Sequence, residues 1–393
     1  MFRIHSAIRS TICVLSVLAL LLIPLTKADA HAYSASYTTL NLTKTSSEMT
    51  FSLDELSVIE LTKGDLNNNG ILDPDEFVGV KEQLIELLQN NLQFTLNNEN
   101  QTWTTLESFT LDGEGKAAKV TLKVFYPPVS DSKTVGFIDH LYSNAKDGST
   151  NYVNLVTITY GKKSTSSALS GKYRSWSMQI TESDYSSLLQ DGQPGTTEGT
   201  ATDESSASES ISGWYSFFKL GMDHILTGYD HLLFLFSLLI ARQKFKQYAS
   251  MITAFTIAHS ITLSLTVLGI INVPSYIVEP AIALSICYVA IDNIVRKQVS
   301  YRWVLTFLFG LIHGMGFADI LQEMNIPKNQ LAVNLISFNI GIETVQVILV
   351  AILLPLLVLL HRWRFSRNAV LGGSTLALIL GGIWLVERVT SNL

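Results

Sequence analysis

The hydrophobic pattern of the chain changes character twice. Residues 1–30 carry one apolar run behind two arginines, residues 31–181 alternate short β-forming and amphipathic stretches, and residues 213–393 are a succession of long apolar segments. In the middle region Ala32–Leu42, Leu92–Leu96, Val120–Phe125 and Tyr152–Tyr160 alternate apolar and polar positions with turn residues between them, which predicts strands. Phe77–Leu88 reads as an amphipathic helix. Together they predict an α+β domain built on an antiparallel sheet. In the last region apolar segments fall at about 217–241, 248–271, 275–295, 302–321, 331–360 and 369–387. Each reaches the ~20 residues that a helix needs to cross hydrocarbon. The predicted class is therefore a membrane all-α bundle of six transmembrane helices, preceded by a soluble extracytoplasmic α+β domain.

Charge orients these parts. Only 15% of the residues are charged and the net charge is −6 with no basic block, which argues against a nucleic-acid partner. Arg3 and Arg9, the apolar run Thr11–Leu25 and the small-x-small triplet Ala28-Asp29-Ala30 predict a signal peptide over residues 1–30. Of the two cysteines, Cys13 lies in that leader and Cys287 in an apolar segment, so the processed chain has one thiol. Arg242, Lys244 and Lys246, then Arg296, Lys297 and Arg302, then Arg362, Arg364 and Arg367 occupy alternate connections. The positive-inside rule places those three connections in the cytoplasm. The expectation is an integral protein of the cell membrane, with the lipid bilayer as partner and both the N-terminal domain and the C-terminus extracytoplasmic. Residues 182–212 are rich in Ser, Thr, Gly and acidic side chains and read as a flexible linker that tethers the domain above the membrane.

One polar stretch of the outer domain has ligand spacing. Asp65, Asn67, Asn69, Ile71, Asp73 and Glu76 fall at positions 1, 3, 5, 7, 9 and 12 of a twelve-residue loop, with Gly70 at position 6. That is the EF-hand-like calcium pattern, in which position 7 offers its carbonyl and position 12 a bidentate carboxylate. Two Asn ligands lower the site's charge, and a single loop suits a structural role better than a sensory one.

The membrane segments carry polar residues where they are costly. His231 is eleven residues from Arg242, His313 eleven from Arg302, and His259 thirteen from Lys246. At 1.5 Å per residue all three lie about 16–20 Å from the basic flank, near mid-bilayer. His224 and Glu279 come out nearer the outer face by the same count. Asp230, Ser260, Asn339 and Glu343 complete the polar set, while Asp292 and Asn293 read as interfacial and outside it. A lone membrane histidine ordinarily bonds helix to helix; three at one level from three segments predict a shared site. If 217–241 is one regular helix, His224 and His231 are two separate stations along a path. Imidazoles with carboxylates suit a divalent transition metal such as Ni, Co or Zn.

His224 followed by Asp230-His231 resembles the signature of the HupE/UreJ family of nickel and cobalt permeases, in the branch with a long extracytoplasmic N-terminal domain. Phe255-Thr-Ile-Ala-His259, Phe309-Gly-Leu-Ile-His313-Gly-Met-Gly and Phe338-Asn339-Ile-Gly-Ile-Glu343 resemble its later helices. The chain departs from that family at Ile225, where the permeases carry Pro. The resemblance implies a nickel- or cobalt-type permease, with His224, Asp230 and His231 meeting the ion first. Two other readings stand beside it: an intramembrane metal-dependent hydrolase with Glu343 or Asp230 as general base, and a metal or ligand sensor. The apolar run Leu232–Ile240 below the histidines would suit the hydrolase; a transporter needs a path through it.

Overall fold

The computed structural model describes residues 34–113, 118–131, 133–143, 152–188, 213–296, 302–323, 328–362 and 366–390. The expected signal peptide and residues 189–212 of the expected linker lie outside them. The N-terminal part is an α/β domain. Its elements are β1 (Ser34–Leu42), β2 (Ser47–Asp54), α1 (Glu55–Thr62), α2 (Pro74–Asn91), β3 (Leu92–Leu96), β4 (Glu99–Gln101), β5 (Thr105–Asp112), β6 (Lys119–Tyr126), β7 (Thr134–Asp139), β8 (Tyr152–Tyr160), β9 (Lys163–Ser170), β10 (Ser175–Gln179) and α3 (Glu182–Ser187).

Period-two alternation forms the strands. Along β2 and β6, Met49, Phe51 and Leu53 and Val120, Leu122, Val124 and Tyr126 point into one core, while polar neighbours take the other face. A six-stranded sheet in the order β5-β6-β2-β1-β8-β9 faces a four-stranded one in the order β10-β7-β3-β4. The larger sheet is not wholly antiparallel as expected: β1 pairs with β8 in parallel, Tyr37 opposite Leu155. Strand β8 supports this because both of its faces are buried, as parallel strands require. Tyr152, Val156 and Ile158 enter the domain core. Val153 and Leu155, with Ala35 and Ala168, instead pack against membrane helices.

That second face meets the helical part. The domain is seated directly on the helices. The Ser166 N–H and Oγ both donate to Gln330 Oε1 at 3.1 Å, Ala168 N–H donates to Ser216 Oγ at 3.0 Å, and Ser170 Oγ donates to Asp223 at 3.0 Å. The start of the expected linker is also ordered. Thr181 caps α3, and Lys163 Nζ lies 2.8 Å from Asp184 Oδ1. Burial alone would raise the Asp184 carboxyl, but Lys163 and the Thr181 hydrogen bonds outweigh it and hold it below its ordinary value.

The helical part comprises α4 (Gly213–Thr227), α5 (Tyr229–Ile240), α6 (Phe245–Val267), α7 (Ser275–Val295), α8 (Arg302–Met315), α9 (Ala318–Glu323), α10 (Lys328–His361) and α11 (Ser366–Thr390). Four stretches are long and apolar enough to cross a membrane: Phe245–Val267, Ser275–Val295, Gln330–Leu360 and Ser366–Thr390. The first and fourth expected segments are each broken instead. Helix α4 ends at Thr227 and α5 restarts at Tyr229, while α8 ends at Met315 and α9 restarts at Ala318. The 12 residues of α5 and 14 of α8 span about 18 and 21 Å. Packing repeats across the two halves: α4 lies on α10, α6 on α8, and α7 on α11. Glycines permit the closest crossings. A Cβ at Gly221 would sit 2.0 Å from the Phe338 carbonyl oxygen, and one at Gly341 2.0 Å from that of Phe218.

Candidate metal centre

The two helix breaks build the site. His224 sits in the last turn of α4 and His231 in the first turn of α5, on either side of Gly228. A continuous helix would separate residues seven apart by about 10 Å. The break brings their ring centroids to 4.7 Å. The expected two stations are thus one cluster. His259 of α6 joins it, 6.0 Å from His231 and 6.1 Å from His224 by centroids. One ring nitrogen from each of the three lies within 4.8 Å of the others. His313, in the last turn of α8 before the second break, has its centroid 5.1 Å from His231, and its Nε2 is 3.0 Å from Ser285 Oγ.

All four histidines are buried, His259 and His313 completely. Both ring nitrogens of His259, Nε2 of His231 and Nδ1 of His313 have no hydrogen-bond partner among the described residues. Buried polar groups are nearly always satisfied. These open nitrogens lie in and beside the group in which one ring nitrogen each of His224, His231 and His259 could hold a metal ion.

Aromatic rings close both ends. On the side facing the α/β domain, Phe317 and Phe338 stack at 5.2 Å and 5°, with Phe317 4.5 Å from the His224 ring. On the opposite side Phe234 lies 4.7 Å and Phe255 5.3 Å from the His313 ring, and Phe309 packs on Phe234 at 5.9 Å.

The carboxylates lie elsewhere. Asp230 Oδ2 is 2.5 Å from Arg388 Nη2, and Glu279 Oε2 is 3.9 Å from Arg388 Nε. Glu343 is exposed on the outer face of α10. Asn339 accepts from Ser260 Oγ at 2.8 Å, and Gln346 from Thr256 at 3.0 Å, fastening α10 to α6. Asp292 and Asn293 are buried, and Arg302 reaches inward to bond both.

In the α/β domain, the loop from Asp65 to Glu76 runs between α1 and α2 and turns at Gly70, whose φ is +74°. Asp65 Oδ2 accepts the Gly70 N–H at 2.9 Å, and Asn69 Oδ1 the Ile71 N–H at 2.7 Å. Glu76 is 8% exposed and folds back, with Oε1 accepting from the Leu66 N–H at 2.9 Å. The donor set is oxygen throughout, the chemistry calcium takes. Asp65, Asn67, Asn69, the Ile71 carbonyl, Asp73 and Glu76 are the atoms that would hold it.

Two features escaped the sequence reading. Arg388 is one; it lies one residue beyond the last expected segment, at the end of α11 opposite the basic flank, and that position was its signal. The other is an internal repeat. Trp214, Gly221 and His224 recur as Trp303, Gly310 and His313 at identical spacing, each followed by a glycine at a helix break, Gly228 and Gly316.

Residues 200–388 match the family model described as HupE / UreJ protein. No curated protein matches the chain.

Proposed function

We propose, from the premise that residues 200–388 are a HupE/UreJ-family segment, that the protein is a secondary permease for a divalent transition metal of the nickel or cobalt type. The observation that carries this reading is the buried cluster of His224, His231 and His259, whose ligand atoms lie within 4.8 Å of one another. Three imidazoles about a metal at about 2.1 Å stand about 3.4 Å apart in tetrahedral geometry. Small ring rotations close the remaining gap. His313 is a fourth imidazole beside them, held by Ser285.

The repeat supports transport. Broken helices in matching positions of two halves, with the site at the breaks, are the pattern of alternating-access carriers. In this reading the chain crosses the membrane six times, with the two broken helices completing the set, and the α/β domain and C-terminus lie outside. Phe317 and Phe338 then form the outer closure, and Phe234, Phe255 and Phe309 the inner one. The ion binds between them. The apolar floor under the histidines is a closed gate that rocking of one half against the other opens. The hydrolytic alternative lacks a base at the cluster, since Asp230 is paired with Arg388 and Glu343 is turned outward. The loop at Asp65–Glu76 holds calcium as a brace between α1 and α2.

The test is nickel or cobalt uptake into vesicles carrying the full-length protein or its His231→Ala variant. Uptake is expected in the first and not in the second. Equal uptake by both, or none above empty vesicles by either, would refute transport through this site.

A further inference from the structure

Arg388 is buried, 8% exposed, and ties three helices together. From α11 its Nη2 reaches Asp230 Oδ2 of α5 at 2.5 Å, its Nη1 donates to the Glu279 carbonyl of α7 at 3.2 Å, and its Nε lies 3.9 Å from Glu279 Oε2. A guanidinium is always charged, and burying one is costly unless it is paired and hydrogen-bonded, as Asp230 and Glu279 pair it here. Asp230 is the immediate neighbour of His231. Its second oxygen, Oδ1, is buried without a hydrogen-bond partner among the described residues.

Within the group that Arg388 ties together, the formal charges are −1 for Asp230, −1 for Glu279 and +1 for Arg388, and Asp230 brings that group against His231. That group carries −1 overall beside the imidazoles that would receive a divalent cation. Without the arginine the same place would carry −2. In a medium of low dielectric one unit of charge near the ion changes its affinity strongly. A carrier must bind its ion tightly enough to select it and weakly enough to release it.

We propose that Arg388 is a tethered cation that sets this balance: it holds Asp230 outside the ligand set, and its fixed positive charge keeps the affinity for the metal low enough for release. It acts through Asp230 and the local field without touching the ion, so it is a positioning residue. This rests on the transport reading above.

The experiment compares wild type, Arg388→Gln and R388K as full-length purified protein. Cobalt(II) binding is followed by calorimetry, and cobalt uptake in vesicles is resolved into KM and maximal rate. R388Q is expected to bind cobalt at least ~10-fold tighter while its maximal rate falls at least ~10-fold. R388K keeps the charge and should stay within about threefold of wild-type affinity. A merely structural clamp would not tighten binding. Wild-type or weaker affinity in folded R388Q would overturn the proposal. If R388Q does not fold because Asp230 is left unpaired, the comparison moves to Asp230→Asn against D230N/R388Q, where no such charge remains. The same ~10-fold tightening is expected there, and equal affinities would overturn the proposal. Wild-type protein that neither binds nor takes up cobalt would instead remove the transport reading itself.

Discussion

Gly221→Ala is the sharpest perturbation the packing offers. On an isolated helix the change stabilises by about 1 kcal/mol through helix propensity. Here the new Cβ would lie 2.0 Å from the Phe338 carbonyl oxygen and 2.9 Å from its carbon, both backbone atoms. No side chain can rotate aside. Restoring a contact of ~3 Å or more means moving α4 off α10 by about 1 Å, an overpacking cost of about 1–3 kcal/mol. His224 is three residues further along α4. Metal–ligand distances tolerate only about ±0.2 Å, so a displacement of that size widens the gap the His224 ring must close and weakens its bond to the ion. We expect nickel affinity, measured by titration calorimetry on detergent-purified protein, to fall at least ~10-fold, about 1.4 kcal/mol. The melting temperature should fall with it. Gly372→Ala and Gly382→Ala are the controls, since a Cβ at either position meets nothing within 4 Å. Unchanged affinity and an unchanged or raised melting temperature in G221A would refute the argument that close α4–α10 packing positions His224.

Other outcomes follow from the same geometry. Glu343→Gln should leave nickel affinity within about twofold of wild type by calorimetry, because its side chain is exposed on α10 and is not among the grouped ligands. Calcium at 10 mM should stabilise the α/β domain against thermal melting by about 1.4 kcal/mol if its Kd is about 1 mM. Glu76→Gln should abolish that increment; a calcium response surviving the change would place the ion elsewhere. The Lys163–Asp184 pair gives a pH signature. Asp184's pKa is lowered in the folded chain, so its contribution is present above the unfolded value of 3.8 and is lost as pH falls through the folded value. Lys163's is raised, so its contribution is complete below 10.5 and is lost as pH rises through the folded value. K163A should therefore flatten the stability profile at both extremes, by less than about 1 kcal/mol for a pair this exposed.

Much of this architecture was legible in the residues. β-forming runs bounded by turn residues located β3 and β8 to the residue and β1 and β6 to within two; alternation marks β6, which buries one regular face. The histidines were found by their cost in an apolar run. The parallel pairing of β1 with β8 was not legible, since alternation fixes which face a strand shows and says nothing about its neighbour's direction. The docking of the domain was hidden for a related reason: Val153, Leu155 and Ala168 read as ordinary strand residues until helices are placed beneath them. The breaks at Gly228 and Gly316 were the costliest omission. Hydropathy runs straight through a glycine, so His224 and His231 looked two turns apart when the chain folds them together. Depth along a helix, which put the carboxylates beside the histidines in the sequence, does not say which way a side chain faces. Asp230 turns to Arg388, and Glu343 turns outward.

The most direct measurement is X-ray absorption at the metal edge of nickel-loaded protein, wild type and His259→Ala. If the cluster is the ion site, wild type shows imidazole scattering from three histidines at about 2.0–2.1 Å, and the variant loses one of them or the metal altogether. An oxygen-only shell in wild type, or an identical imidazole signal in H259A, would contradict the assignment.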